Sequence, residues 1–227
     1  MIKIYALNIN KDISPSLFIK LSSFVSAERR EKINKFMRKE DADRSLAAEV
    51  LARHALIENI KIKNQYISFY YNTYGKPYFA HTSPIYFNIS HSGNWVVCAI
   101  SAQEVGIDVE KISKIDLDIA KSFFAKKEYS NLMNKDVSKR NEYFYALWTL
   151  KESYIKARGK GLSLDLSSFS IIVNNDNIIT FETPDDCEKY SFKQYNIDKD
   201  YKLSVCTLND VFPDKIIFKN LDDLIIY

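Results

Sequence analysis

Hydrophobic and polar positions follow two different periods along the first part of the chain. The segment IKIYALNI alternates apolar and polar residues, which predicts a strand. From about Ala27 to Ile60 apolar residues recur at helical spacing, with a stripe formed by Leu46, Val50 and their neighbours. Three strand-like segments follow, separated by turns at YGKP and HSGN: YISFYYN, IYFNIS and WVVCAIS.

The second part of the chain repeats this order. GIDVE reads as a strand, and helical spacing returns from about Leu117 to Leu132 and from Asn141 to Arg158. Four strand-like segments follow: FSIIVN, IITFET, YSFKQYN and KLSVCTL. A repeat of about 105 residues is too long for a solenoid and indicates duplication of a whole unit. Cys98 and Cys206 occupy matching positions in the two units.

The pattern therefore predicts an α/β (α+β) fold made of two similar subdomains related by a pseudo-two-fold duplication. We place the halves at residues 1–103 and 104–227, with a short extension from about Pro213 packing across them. One chain supplies both halves, so we expect a monomer with a pseudo-dimeric fold.

Composition narrows the class of protein. Hydrophobic residues make up 46% and aromatic residues 14%, enough for a buried core. The net charge of +3 is small for a bulk nucleic-acid binder, and apolar runs are too short to span a membrane. Scattered cysteines (Cys98, Cys187, Cys206) and an N-terminus that reads as a strand favour a reduced, cytoplasmic protein.

Two segments place acidic residues on one face. In the GIDVE strand, Asp108 and Glu110 point the same way, and two neighbouring carboxylates suit a cation, although a solvent-facing polar edge is the commoner explanation of such spacing. On the predicted helix, Trp148, Glu152 and Lys156 share a face at i, i+4 and i+8. An ordinary surface ion pair gives the same spacing, but the tryptophan indicates the wall of a cleft.

Several polar and basic residues are candidates for an anion site. The turn in FNISHSGNW carries Ser90 and His91 and can hold a phosphate, although a capped hairpin fits equally. YGKP displays Lys76 from a Gly-Pro turn. A charged run on helical segments, usually a solvated face, holds Arg29, Lys32 and Ser45.

Together these motifs resemble the surfactin-synthetase-activating class of 4'-phosphopantetheinyl transferases over essentially the whole chain. The motifs that carry the resemblance occur in order: YGKP, FNISHSG, GIDVE, FFAKKEYSNL and LWTLKESYIKARGKGLSL. The resemblance implies an enzyme that transfers the 4'-phosphopantetheine of coenzyme A to a serine of an apo peptidyl or acyl carrier protein. Arg29 stands where lysine is common in the family, which keeps the charge but changes the geometry toward phosphate.

The resemblance also implies roles for individual residues. It assigns Mg²⁺ binding to Asp108, Glu110 and Glu152, and stabilisation of the leaving group to Lys156. It assigns CoA binding to Lys76, Ser90 and His91, with Arg29, Lys32 and Ser45 near the 3'-phosphate. The base that activates the carrier serine is either Glu152 or a water on the metal, and the sequence leaves both open.

Carrier proteins are acidic, so an apolar patch ringed by lysines is expected to receive them. The segment around Lys114 and Lys121 fits, with apolar residues Ile115, Leu117, Ile119, Phe123 and Phe124, although helix core explains the same residues equally well. Two other classes of function remain: a non-catalytic module that binds CoA or a nucleotide, and a Mg²⁺-dependent phosphodiesterase.

Overall fold

A computed structural model describes residues 1–10, 12–80, 84–174, 178–184, 189–208 and 211–225. The first half contains β1 (Lys3–Asn8), α1 (Pro15–Ser22), α2 (Ala27–Asn34), α3 (Lys39–Ile60), β2 (Phe69–Tyr71), β3 (Pro77–Phe79), β4 (Tyr86–Ser92) and β5 (Trp95–Ser101). The rest contains β6 (Val105–Lys111), α4 (Asp118–Phe123), α5 (Lys126–Met133), α6 (Val137–Arg158), β7 (Ser170–Val173), β8 (Ile179–Glu182), β9 (Tyr190–Tyr195), β10 (Tyr201–Leu208) and β11 (Ile217–Lys219).

The two halves have the same strand topology. In the first half, β5 pairs antiparallel with both β1 and β4, and in the second β10 pairs antiparallel with both β6 and β9. Each half also has one small two-stranded hairpin, β2–β3 or β7–β8, and one 22-residue helix, α3 or α6. Cys98 on β5 and Cys206 on β10 are both fully buried in equivalent strands. The predicted duplicated α/β fold is confirmed.

The sheets pack against each other through a shared core. Along β1, Ile4 and Ala6 face the second half, where they join Val97, Ile107 and Val205 in one buried cluster. The alternate residues Tyr5 and Leu7 face the helices of their own half. Because β5 is buried on both faces, its sequence WVVCAIS is a continuous apolar run and does not alternate.

The predicted helices are interrupted where the chain turns. The segment predicted from Ala27 to Ile60 is two helices, because the chain leaves the helical path between Asn34 and Lys39. The segment predicted from Leu117 to Leu132 is also two helices, separated by extended backbone at Phe124 and Ala125. Helix α6 begins at Val137 rather than Asn141. Its first turn, VSKR, holds one apolar residue, the exposed Val137, so hydrophobic periodicity did not reveal it.

The C-terminal segment runs from the second half to the first. The Pro213 carbonyl accepts hydrogen bonds from Lys193 Nζ and Tyr195 OH on β9. Shortly afterwards β11 pairs in parallel with β1 and becomes an edge strand of the first sheet. Within the described ranges, no helix is both long and apolar enough to cross a membrane. Cys98 and Cys206 are free thiols, and Cys187 lies outside the described residues.

Candidate active site between the two halves

The site begins where β4 of the first half runs beside β6 of the second. Ser90 Oγ donates a hydrogen bond of 2.9 Å to Asp108 Oδ1, and Ser92 Oγ donates one of 2.8 Å to Glu110 Oε2. Side chains two apart on a strand share a face, so Asp108 and Glu110 both point toward β4. These two side-chain hydrogen bonds between strands of different sheets therefore hold the acidic groups in one orientation.

Helix α6 lies directly over β6 because Gly106 has no side chain. A Cβ at this position would collide with the Ser153 carbonyl oxygen and the Ala157 amide nitrogen of the helix backbone. This close approach brings Lys156 onto the acidic strand: its Nζ lies 2.6 Å from Asp108 Oδ1 and 2.9 Å from Ser90 Oγ. One turn earlier, Glu152 joins the same cavity.

The opposite face of α6 is fixed by a buried ion pair. Lys151 Nζ lies 2.7 and 2.8 Å from the two carboxylate oxygens of Glu128 on α5, and both side chains are fully buried. The same ammonium donates to the Phe169 carbonyl at 2.9 Å. Lys151 thus holds α6 on its neighbours while the next residue, Glu152, faces the cleft.

A cavity of about 390 Å³ joins these groups to the first half. Its lining consists of Arg29, Ser45, Ala48, Ile89, Ser90, His91, Asp108, Glu110, Trp148, Glu152 and Lys156. Most of the polar residues singled out from the sequence are therefore brought to one cleft, which contains carboxylates as well as basic and hydroxyl groups.

The pKa values of all three carboxylates are raised, and the charge of Asp108 contributes to the shifts of the other two. Burial raises the pKa of Asp108, and the nearby Lys156 only partly offsets it. Burial and the charge of Asp108 raise the pKa of Glu110, and the same two causes raise the pKa of Glu152 to about 7. The cleft therefore holds more negative charge than Lys156 balances.

One carboxylate oxygen of Asp108 lacks a hydrogen-bond partner among the described residues. This oxygen, Oδ2, is buried, an arrangement that costs free energy unless another group binds there. Within the described ranges, no three His, Cys, Asp or Glu side chains are arranged as a ready-made metal site.

In the same cleft, Arg29 contacts Ser45 and Glu49. Its guanidinium donates to Ser45 Oγ at 2.8 Å and forms an ion pair with Glu49 at 2.8 Å. Partial desolvation lowers the pKa of His91, and the charges of Lys156 and Arg44 lower it further. His91 is therefore largely neutral near pH 7 in the ligand-free cleft.

Two residues predicted to bind CoA lie outside this cavity. Lys32 is exposed, pairs with Glu28 at 2.7 Å and lines a neighbouring cavity of about 200 Å³. Lys76 is buried, and its Nζ donates to the Ala157 carbonyl at 2.8 Å; burial lowers its pKa to about 8. Their proposed roles toward CoA remain predictions.

The expectation that Phe124 belongs to an exposed docking patch is wrong. Its side chain is 3% exposed and packs on Phe144 with ring centres 5.2 Å apart, because the extended backbone after α4 turns it inward. Ile119 is 40% exposed. The other three patch residues are partly buried: Ile115, Leu117 and Phe123.

Sequence reasoning missed two contributors to this region. Ser92, which holds Glu110, was missed because the sequence pattern indicated a turn at residues 90–93, whereas Ser90, His91 and Ser92 are the last three residues of β4. Asn72, which reaches from the first half to the Gly159 carbonyl after α6, carries no sequence signal, because the contact spans 87 residues of sequence.

Comparison with known proteins adds independent information. A family model described as the 4'-phosphopantetheinyl transferase superfamily matches residues 104–206, and one described as 4'-phosphopantetheinyl transferase, N-terminal, matches residues 12–103. A holo-(acyl-carrier-protein) synthase from Bacillus anthracis, solved in complex with CoA (3',5'-ADP), is 17% identical with a TM-score of 0.41, over 46% of this chain and 94% of that one. The family assignment does not rest on this distant structural similarity.

The sequence relatives are much closer. The chain is 42% identical to 4'-phosphopantetheinyl transferase Sfp of Bacillus subtilis (strain 168), over 98% of this chain and 100% of that one. It is 40% identical to 4'-phosphopantetheinyl transferase gsp of Aneurinibacillus migulanus, over 92% of this chain and 86% of that one. Identity at this level over nearly the full length of both proteins shows that the chain belongs to the 4'-phosphopantetheinyl transferase family, in the class of Sfp.

Proposed function

We propose that this transferase moves the 4'-phosphopantetheine arm of coenzyme A onto a serine of an apo peptidyl or acyl carrier protein and releases 3',5'-ADP. One observation carries the proposal within the structure. A single cleft between the halves collects three carboxylates together with Lys156, Arg29, Ser45 and His91. The carboxylates suit a cation and the basic groups suit phosphates, which are the two needs of phosphoryl transfer.

Asp108, Glu110 and Glu152 are proposed to hold Mg²⁺. This hard cation prefers oxygen ligands. The unpartnered Asp108 Oδ2 and the raised pKa values of the three carboxylates fit a bound cation. When bound, the ion supplies positive charge to the diphosphate of CoA.

The chain's own residues then perform the transfer. The carrier serine oxygen forms a bond to the β-phosphorus of CoA, and the bond from that phosphorus to the oxygen of 3',5'-ADP breaks. We propose that Glu152, which lines the cleft one turn before Lys156, accepts the serine proton. Lys156 donates to the phosphate oxygens and stabilises the charge that the leaving group gains.

The basic and hydroxyl groups of the cleft are proposed to bind the nucleotide part of CoA. Lys156 Nζ donates to Ser90 Oγ, and His91, Arg29 and Ser45 line the same cavity. A neutral His91 can donate to a phosphate or become protonated on binding it. Lys32 and Lys76 belong to the same proposal, although neither lines the cavity.

The carrier is proposed to dock beside the cleft, on a smaller patch than the sequence suggested. The patch keeps Ile115, Leu117, Ile119 and Phe123 and loses Phe124. Lys114 and Lys121 are exposed beside it and suit an acidic partner. Phe123 packs edge-on against Trp148 at 5.7 Å, so this patch is continuous with the cavity wall.

We further propose that the protein acts as a monomer in the cytoplasm, on a protein substrate and without nucleic acid. One chain supplies both sides of the cleft, and the two described cysteines are buried free thiols, as expected in a reducing compartment.

The test is to incubate the protein with CoA, Mg²⁺ and an apo carrier domain and to measure the intact mass of the carrier. We expect a gain of one phosphopantetheine that disappears with EDTA and with a carrier whose serine is replaced by alanine. Breakdown of CoA with no change in the carrier would instead indicate a phosphodiesterase. Binding of CoA without either change would indicate a non-catalytic module.

A further inference from the structure

The β2–β3 hairpin of the first half contacts the end of helix α6 in the second half. Asn72 Nδ2 donates a hydrogen bond of 2.6 Å to the carbonyl of Gly159, the residue that ends the helix. The buried Lys76 Nζ donates to the carbonyl of Ala157 at 2.8 Å. The last carbonyls of a helix have no partner within it, so these two donors satisfy groups that would otherwise be left unpaired.

The amide of Asn72 is held in one orientation. Its Oδ1 accepts hydrogen bonds from the backbone nitrogens of Tyr74 at 3.0 Å and Lys76 at 2.9 Å, which shape the turn of the hairpin. Its Nδ2 points at the helix, and the Asn72 side chain also hydrogen-bonds to Tyr78 in the same hairpin. Gly159 has a φ of +65°, and a Cβ there would lie 2.6 Å from Tyr78 OH, so the hairpin and the helix end are in close contact.

We infer that Asn72 is a positioning residue: by holding the Gly159 carbonyl, it fixes the last turn of α6 and so aims Lys156 at the reacting phosphate. Lys156 lies in the turn that this contact holds, and its Nζ reaches Asp108 and Ser90 across the cleft. The contact joins the two halves at the helix that carries the reacting groups. This inference rests on the proposed function. It gives a role in that reaction to Asn72, which does not line the cavity.

The substitution Asn72→Asp tests the contact with little change in shape. The aspartate keeps the oxygen that shapes the turn but loses the donor to Gly159 and sets a charge against a carbonyl. We expect kcat to fall by about 10- to 100-fold, because a small displacement of an aligned group is costly. The KM for the carrier should stay unchanged. Amide hydrogen exchange should rise in the last turn of α6 and not in its first half.

Asn59→Asp is the matched control. Asn59 Nδ2 donates to the Ala55 carbonyl at 2.7 Å near the end of α3, the equivalent 22-residue helix of the first half, and it does not line the cleft. It makes the same chemical change at a similar helix end, so it should alter stability without lowering kcat.

A double-mutant cycle with Lys156→Ala identifies the route of the effect. In that background Asn72→Asp should lower the remaining kcat by less than about twofold. An equal loss in both backgrounds, or a wild-type kcat in Asn72→Asp, overturns the inference. So does unfolding of both Asn72→Asp and Asn72→Ser, because the contact then serves stability alone. If the wild type transfers nothing, the proposed function fails, and hydrogen exchange alone decides whether the hairpin holds α6.

Discussion

Glu152 is the carboxylate whose protonation changes within the ordinary working range of pH. Burial and Asp108 raise its pKa from 4.5 to about 7, whereas Lys156 opposes the shift. The folded protein therefore binds a proton that the unfolded chain has already released. Since the folded state binds more protons in this window, stability falls as pH rises from about 5 to about 7.

We predict that Glu152→Gln removes most of this loss. In EDTA the variant should be more stable than the wild type near pH 8, by an amount on the order of 1–2 kcal/mol, and the two should converge near pH 5. Urea denaturation of both proteins between about pH 5 and pH 8 measures this difference in the free energy of unfolding. Glu142→Gln, an exposed change on the same helix, should keep the wild-type dependence on pH. Parallel curves for the wild type and Glu152→Gln would contradict the assignment.

Lys156 is predicted to act on the charge that develops as the diphosphate breaks. Lys156→Ala should lower kcat by about 100-fold or more with every carrier tested, because an interaction made mainly in the transition state is lost. Calorimetric affinity for CoA should change much less. Lys139→Ala removes an exposed lysine in the first turn of the same helix and should leave both quantities unchanged. A rise in KM with a normal kcat would show that Lys156 only binds substrate.

At the scale of single residues, the sequence identified which side chains share a face but not their hydrogen-bond partners across the cleft. Strand spacing placed Asp108 with Glu110, and helical spacing placed Glu152 with Lys156. Nothing in the spacing indicated that β4 lies beside β6, so the hydrogen bonds from Ser90 and Ser92 to the carboxylates could not be predicted without the fold or the family resemblance.

Among the elements, the segment from α4 to α5 shows how a helical pattern can mislead. Apolar residues at helical spacing describe a docking face and a buried face equally well, and only the break after α4 turns Phe124 into the core. Similarly, the gap between α2 and α3 is too short to interrupt a window of helical periodicity.

We predict that Phe124→Ala lowers the free energy of unfolding by about 3–5 kcal/mol, as for a buried phenylalanine. Ile119→Ala, at an exposed position on α4, should lower it by less than about 1 kcal/mol but raise the KM for the carrier. Urea denaturation and carrier titration separate the two effects. A stable Phe124→Ala with a raised carrier KM would return that residue to the docking patch.

The close contact between β6 and α6 leads to a second prediction about these elements. Gly106→Ala should lower stability by more than about 2 kcal/mol and reduce transfer, because its Cβ meets helix backbone that cannot rotate away. Gly75→Ala, where φ is +84° and nothing lies within 4 Å, should cost only about 1–2 kcal/mol of backbone strain. Thermal unfolding of both variants gives the comparison, and equal losses would contradict the close approach of α6.

For the whole molecule, the order of strands and helices was enough to predict the duplication. The run WVVCAIS also carried the signal of a strand buried on both faces, which follows from the packing of the two sheets. The edge strand β11 could not be predicted, because three residues carry too little periodicity and its pairing partner, β1, lies at the opposite end of the chain. The cleft is a consequence of the pairing of the halves.

The central claim is that this cleft performs the transfer through its three carboxylates. The most direct measurement is the single-turnover rate of phosphopantetheine gain, followed by intact mass of the carrier at saturating CoA and Mg²⁺. We expect Asp108→Asn, Glu110→Gln and Glu152→Gln each to fold and to lose at least about 100-fold in rate, with Glu142→Gln at the wild-type rate. A wild-type rate in any of the three carboxylate variants would contradict the account.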